Sequence, residues 1–219
     1  MHAVYNFVAG PLAWLAWAVF FLGIVYKLVK SYQSAKDKDP VVLNYMNLKY
    51  GLRSILHWSI PFGARNMRLN PVMTVVTFAF HLSLFIAPLF LMAHMIMLDE
   101  AIGVSFWTIP EGVADILTLV VLGACCFFAY RRLTIPEVKY VTTASDWGIL
   151  AMVAAPFLTG FLAHYQIGPY NPMLILHILT GEIALVAIPF TRLSHMFYAP
   201  LTRAYIGAEF GAVRFAKDW

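Results

Sequence analysis

Apolar residues along this 219-residue chain fall into five long blocks separated by polar connections. The blocks cover residues 7–28, 72–98, 112–130, 146–165 and 173–198. Each is close to the about 20 residues that a helix needs to cross a bilayer, and each is apolar all round rather than along one stripe. The pattern predicts an all-α, integral membrane bundle of five transmembrane helices forming one domain over 1–219, with a polar tail at 199–219. The first block is too long and lacks the basic start of a signal peptide, so it is kept as a membrane helix. Between the first two blocks, residues 41–58 space apolar positions at helical intervals around Lys49 and Arg53. This predicts a helix that either lies on the membrane surface or sits in a solvated loop, with His57 as an interfacial side chain. Thr108 followed by Glu111 predicts a capping box at the start of the third helix.

Composition agrees with the pattern. The chain is 61% hydrophobic and only 12% charged, where a soluble domain is nearer half apolar and a quarter charged. The basic balance gains meaning when assigned to sides. All fifteen Lys and Arg residues lie in 27–68, 131–139 and 192–217, and five crossings put those three segments on one face. Basic residues are retained in the cytoplasm, so the amino terminus is expected outside and the carboxy terminus inside. The net charge of +4 therefore reflects topology rather than nucleic-acid binding, and its clustering would also favour anionic lipid or an acidic cytoplasmic partner. Asp99 and Glu100 make the outer turn acidic, either as a solvated loop or as a face for a basic soluble protein. The adjacent Cys125 and Cys126 suit neither a disulfide framework nor a zinc site, and read as small packing residues.

Histidines inside two of these blocks change the picture, because an ionisable side chain is costly in a bilayer and usually functional there. His81 and His94 stand in the second block, His177 and His195 in the fifth. The two helices run in opposite directions, so His94 and His177 fall near the outer face, while His81 and His195 fall nearer the inner one. Intervals of 13 and 18 residues amount to about 20 and 27 Å of helix, enough to place two metal centres in different halves of the membrane. Paired histidines on facing helices suggest two bis-histidine haems. Azimuth is stricter: 18 residues are five whole turns, whereas 13 leave His81 and His94 about 140° apart on a straight helix. Pro88 stands between them, and a kink or local rewinding there would bring the two side chains round. His164, at the outer end of the fourth helix, is an alternative outer ligand or a quinone partner. Arg192 is placed to pair with a haem propionate or to anchor the inner face. Glu182 is a proton carrier toward a quinone or a neutral carboxyl bonded to a neighbouring helix.

With these features the sequence resembles the cytochrome b family of the respiratory nitrate reductase gamma subunit over the whole spanning region. The spacing of His177 and His195 matches that family's last helix, while the second-helix interval is longer than the family's. Within it, the segments HWSIPFGARNMRLNPVMTVVTFAFH, WTIPEGVAD, RRLTIPEVKYVTTASDW and IPFTRLSHMFYAPLTRAY resemble the membrane cytochrome b of the Tmc and Hmc types of transmembrane redox complex of sulfate-reducing bacteria, the Tmc type more closely. The resemblance implies a multi-pass protein of the bacterial cytoplasmic (inner) membrane carrying two haem b. It would be the electron-transfer subunit of an oxidoreductase complex, with a periplasmic multihaem cytochrome c or menaquinone on one side. On the other would be a cytoplasmic iron-sulfur subunit of the heterodisulfide-reductase type, docked on the tail and the basic first inner connection. The alternative from another class is a haem-free membrane anchor or small proton-linked transporter.

Overall fold

The computed structural model describes residues 2–219 and is all-helical, with no strand among the described residues. Five helices are long and apolar enough to cross a membrane: α1 (His2–Lys38), α3 (Pro71–Phe90), α5 (Glu111–Thr134), α6 (Ala144–His164) and α7 (Tyr170–Phe190). Between them lie α2 (Leu48–Trp58) and α4 (Met92–Ile102), and α8 (His195–Ala208) follows the last span. The spans expose Leu, Val, Ile, Phe and Trp side chains freely, as helices whose solvent is lipid must. A multi-pass membrane protein is the reading they support.

The helix ends differ from the apolar blocks where local chemistry intervenes. Helix α1 continues to Lys38 because SAKDK is good helix-forming sequence. The capping box expected at Thr108 and Glu111 is not formed: the residue before α5 is Pro110, with no side-chain bond. The amide of Ile109 is instead drawn 3.0 Å onto the carbonyl of Phe90, which holds this segment against the end of α3. The box stands at α6, where Asp146 accepts from the Thr143 amide at 2.8 Å and from its hydroxyl at 2.7 Å.

Two expected helices are broken. The block 72–98 ends as α3 at Phe90, and Leu91 is extended (φ −67°, ψ 132°) before α4 begins. Pro88 has no amide to donate and its ring crowds the preceding turn, so the helix stops shortly beyond it. The block 173–198 likewise ends at Phe190, just after Pro189, and Thr191 is extended (φ −121°, ψ −175°) before a short 3₁₀ turn at Arg192–Ser194 leads into α8. His195 therefore opens a new helix. The whole-turn relation between His177 and His195 does not hold, because the backbone between them is not one continuous helix.

By contacts the chain sorts into two compact units. The first comprises the start of the chain as far as Pro11 together with Val75–Ala184; the second comprises Leu12–Thr74 and Leu185–Trp219. In the first, α5 and α6 form a hairpin whose connected end is held by Arg132 and Asp146, 3.5 Å apart. Cys125 is buried and Cys126 exposed, both as free thiols, so only Cys125 sits in the packing expected of the pair. In the second, α2 packs closely along α8: a Cβ on Gly207 would lie 2.3 Å from the Ser54 side chain, so only glycine permits this approach. The tail folds back over the pair. Asp218 accepts from Ser54 at 2.5 Å and lies 3.7 Å from Arg203, while Trp219 stacks on His57 at 4.1 Å.

Candidate metal centre

In a neutral imidazole one nitrogen carries the proton and the other the lone pair, and the hydrogen bond made by the first fixes which is which. Of the four candidate ligands, His81 and His177 lie within spans, while His94 and His195 lie just beyond the ends of α3 and α7; each has Nδ1 against a backbone carbonyl. His81 Nδ1 meets Thr77 O at 2.7 Å, His94 Nδ1 meets Pro88 O at 2.8 Å, His177 Nδ1 meets Pro156 O at 2.9 Å and His195 Nδ1 meets Arg192 O at 2.8 Å. A carbonyl can only accept, so Nδ1 donates in all four and Nε2 holds the lone pair. This is the arrangement that orients a metal-binding imidazole. His57 and His164 are turned the other way, with Nε2 at 2.9 Å from Gly63 O and 3.8 Å from Asp115 Oδ1 respectively.

Two of the four meet within the first unit. The rings of His94 and His177 lie nearly parallel, 10° apart, with centroids separated by 5.9 Å. Two imidazoles sharing one metal ion, at about 2 Å per metal–nitrogen bond, have ring centres about 6 Å apart. The break at Leu91 makes this possible. It gives α4 its own azimuth, and His94 satisfies the carbonyl of Pro88, whose partner in an unbroken helix would have been the amide of Met92. On α6, Gly160 leaves room for the second ring: a Cβ there would stand 2.9 Å from His177 Cε1 and 3.0 Å from Nδ1.

No group of three or more His, Cys, Asp or Glu residues suited to a metal occurs among the described residues. A closed protein-ligated zinc site needs about four such donors. His94 and His177 contribute two imidazoles, fewer than such a site takes.

The remaining candidates are placed less closely. His81 is half-buried with its ring edge against Phe80, in the first unit. His195 is exposed at the start of α8, in the second, beside a groove of about 570 Å³ that Trp58, Tyr198 and Arg203 also line. Arg192 is exposed on the 3₁₀ turn, and its carbonyl, rather than its guanidinium, holds His195. Glu182 has both carboxylate oxygens buried without a hydrogen-bond partner, a costly position for a charge. His164 is exposed and faces Asp115, which also accepts from Tyr165 Oη at 2.7 Å. That bond raises the Tyr165 hydroxyl above its ordinary pKa. It is His94, not His164, that the fold sets parallel to His177.

Over 215 residues the chain is 38% identical to a protein of Nitratidesulfovibrio vulgaris (strain Hildenborough), covering 96% of this chain and 95% of that one. No family model matches the chain. No solved structure matches it.

Proposed function

The chain belongs to the family of that Nitratidesulfovibrio vulgaris protein, and we propose that it is a di-haem b membrane subunit carrying electrons across the cytoplasmic membrane. The observation that carries this reading is the common tautomer of His81, His94, His177 and His195, together with the parallel rings of His94 and His177. His94 and His177 would hold the outer haem, and His81 and His195 are the ligands that the sequence pattern supplies for the inner one. Haem supplies the one-electron centre when bound. The chain's own part is to fix four imidazoles through backbone carbonyls and to set two of them, His94 and His177, parallel to one another.

The orientation follows from the basic residues, with the amino terminus periplasmic and the carboxy terminus cytoplasmic. Electrons pass between a periplasmic multihaem cytochrome c or menaquinone and a cytoplasmic iron-sulfur subunit of the heterodisulfide-reductase type. Support for this setting comes from the sequence resemblance and from the relative's origin in a sulfate reducer. Arg192 pairs with a propionate at the inner face. The test is a reduced-minus-oxidised spectrum of the purified subunit with a haem count per chain. Two haems per chain are expected, and a folded but colourless protein would overturn the reading.

Glu182 favours a second reading. A buried carboxyl with neither oxygen bonded suits a haem-free, proton-linked transporter, in which Glu182 and the histidines form the path. The same haem count separates the two.

A further inference from the structure

We propose that α2 lies in the surface of the membrane and seats a stripe of three leucines in an anionic lipid leaflet. Leu48, Leu52 and Leu56 follow one another at intervals of four residues, which sets them along one face of the helix. They remain 79%, 48% and 64% exposed. The opposite side is already used, because Gly51 and Ser54 are buried against Ala204 and Gly207 of α8. The stripe is thus a face that the second unit itself leaves uncovered.

The occupant is argued from depth and charge. Tyr198, in the first turn of α8, donates to the Lys27 carbonyl at 3.1 Å and shares a 2.8 Å hydrogen bond with Ser31. Phe197 packs near Phe20, with ring centroids 6.1 Å apart. These contacts hold α8 level with the segment of α1 where the first basic residues appear, at the boundary of the spanning region. Helix α2, packed along α8, is held at that level too. Nine residues join it to α1 and twelve to α3, so neither end can travel far from the bilayer. Residues 39–70 carry Lys49, Arg53, Arg65 and Arg68 against Asp39 as their one acid. An amphipathic helix with leucines on one side and basic residues beside them binds the headgroup boundary of an anionic membrane. This inference does not depend on haem.

The test is a nitroxide at position 52, in the variant Leu52→Cys on a Cys125→Ala, Cys126→Ala background. The full chain is placed in nanodiscs of phosphatidylethanolamine and phosphatidylglycerol. Relaxation by oxygen, which concentrates in lipid, is compared with relaxation by a water-soluble nickel chelate. With the apolar face about 5–10 Å into the headgroup boundary, oxygen should relax the label more than the chelate does, while at an exposed Asp37→Cys label the chelate should dominate. Leu56→Cys gives the same reading should the Leu52 variant fold poorly. A label at 52 as open to the chelate as the one at 37 would make the stripe a water-facing protein-docking surface and overturn the proposal. A label shielded from both reagents would overturn it as well. In discs of phosphatidylcholine alone the label should move outward, and an unchanged depth would overturn the charge component.

Discussion

Replacing Gly160 by alanine tests the centre at its tightest point. The added Cβ would stand 2.9 Å from His177 Cε1 and 3.0 Å from Nδ1, whereas relaxed carbon contacts lie at about 3.5–4.0 Å. The ring, held at 2.9 Å to Pro156 O, must retreat by about 0.5–1 Å. That shift lengthens its hydrogen bond beyond useful range. Overpacking costs about 1–3 kcal/mol and the lost hydrogen bond about 1 kcal/mol. Better helix propensity returns up to about 1 kcal/mol. The net, about 1–3 kcal/mol, falls on the one ring that must meet His94. Disturbing the groups that orient a metal ligand lowers affinity by about ten- to a hundredfold. The G160A subunit should therefore retain its helical circular dichroism and lose one of two haems, or show that component with a shifted midpoint potential. Gly123→Ala is the control, because nothing lies within 4 Å of its Cβ position. Full haem content with unchanged spectrum and potentials in G160A would refute the assignment of His177 to a metal centre at this seat.

His94→Ala should remove the outer haem and halve the absorbance, while His164→Ala should keep both; the reverse result would move the outer ligand to α6. A reporter fused after Trp219 should be cytoplasmic and one inserted in 166–171 periplasmic, and swapped signals would overturn the orientation drawn from the basic residues. Asp218→Asn should lower stability by about 1–3 kcal/mol, read as earlier thermal unfolding, because the buried carboxylate accepts from Ser54 and faces Arg203. An unchanged melting curve would show that the tail is not part of the second unit's packing.

The five spans were legible in the sequence because a bilayer leaves the backbone little choice: an apolar run of sufficient length must be helical. The helix breaks were less so. Pro88 and Pro189 were visible as irregularities, but proline can lie inside a span without ending the helix, as Pro156 does within α6. Which outcome follows depends on partners for the freed carbonyls. His94 supplies one and Ile109, nineteen residues beyond Phe90, another, and no local pattern announces the second. The histidines themselves stood out as ionisable residues in apolar blocks. Gly160 did not: it is an unremarked glycine until its neighbour is known to be an imidazole. The capping box was assigned to Thr108 because the motif is short, and Thr143 with Asp146 carries the same spacing.

The breaks also resolve the difficulty that the histidine spacing raised. On one straight helix, His81 and His94 would point about 140° apart, and no single neighbouring helix could meet both. Ending α3 at Phe90 removes the constraint, since α4 is a separate helix with a direction of its own. For His195 the break acts the other way: α8 begins after the extended Thr191, so the shared direction that eighteen residues would give His177 and His195 on one helix is lost. Water is absent from the hydrocarbon region, so a broken helix there must find other donors for its last carbonyls. Pro88 finds one in the imidazole of His94, and the carbonyl of Arg192, in the turn between α7 and α8, finds one in His195. At these two positions the irregular backbone and the histidine tautomer go together: the break presents the acceptor, and the Nδ1 proton given to it leaves Nε2 as the electron-pair donor. The other two histidines use carbonyls inside continuous helices: His81 Nδ1 bonds to Thr77 O within α3, and His177 Nδ1 reaches across to Pro156 O within α6, so those two ring directions follow from residue spacing and helix packing rather than from a break.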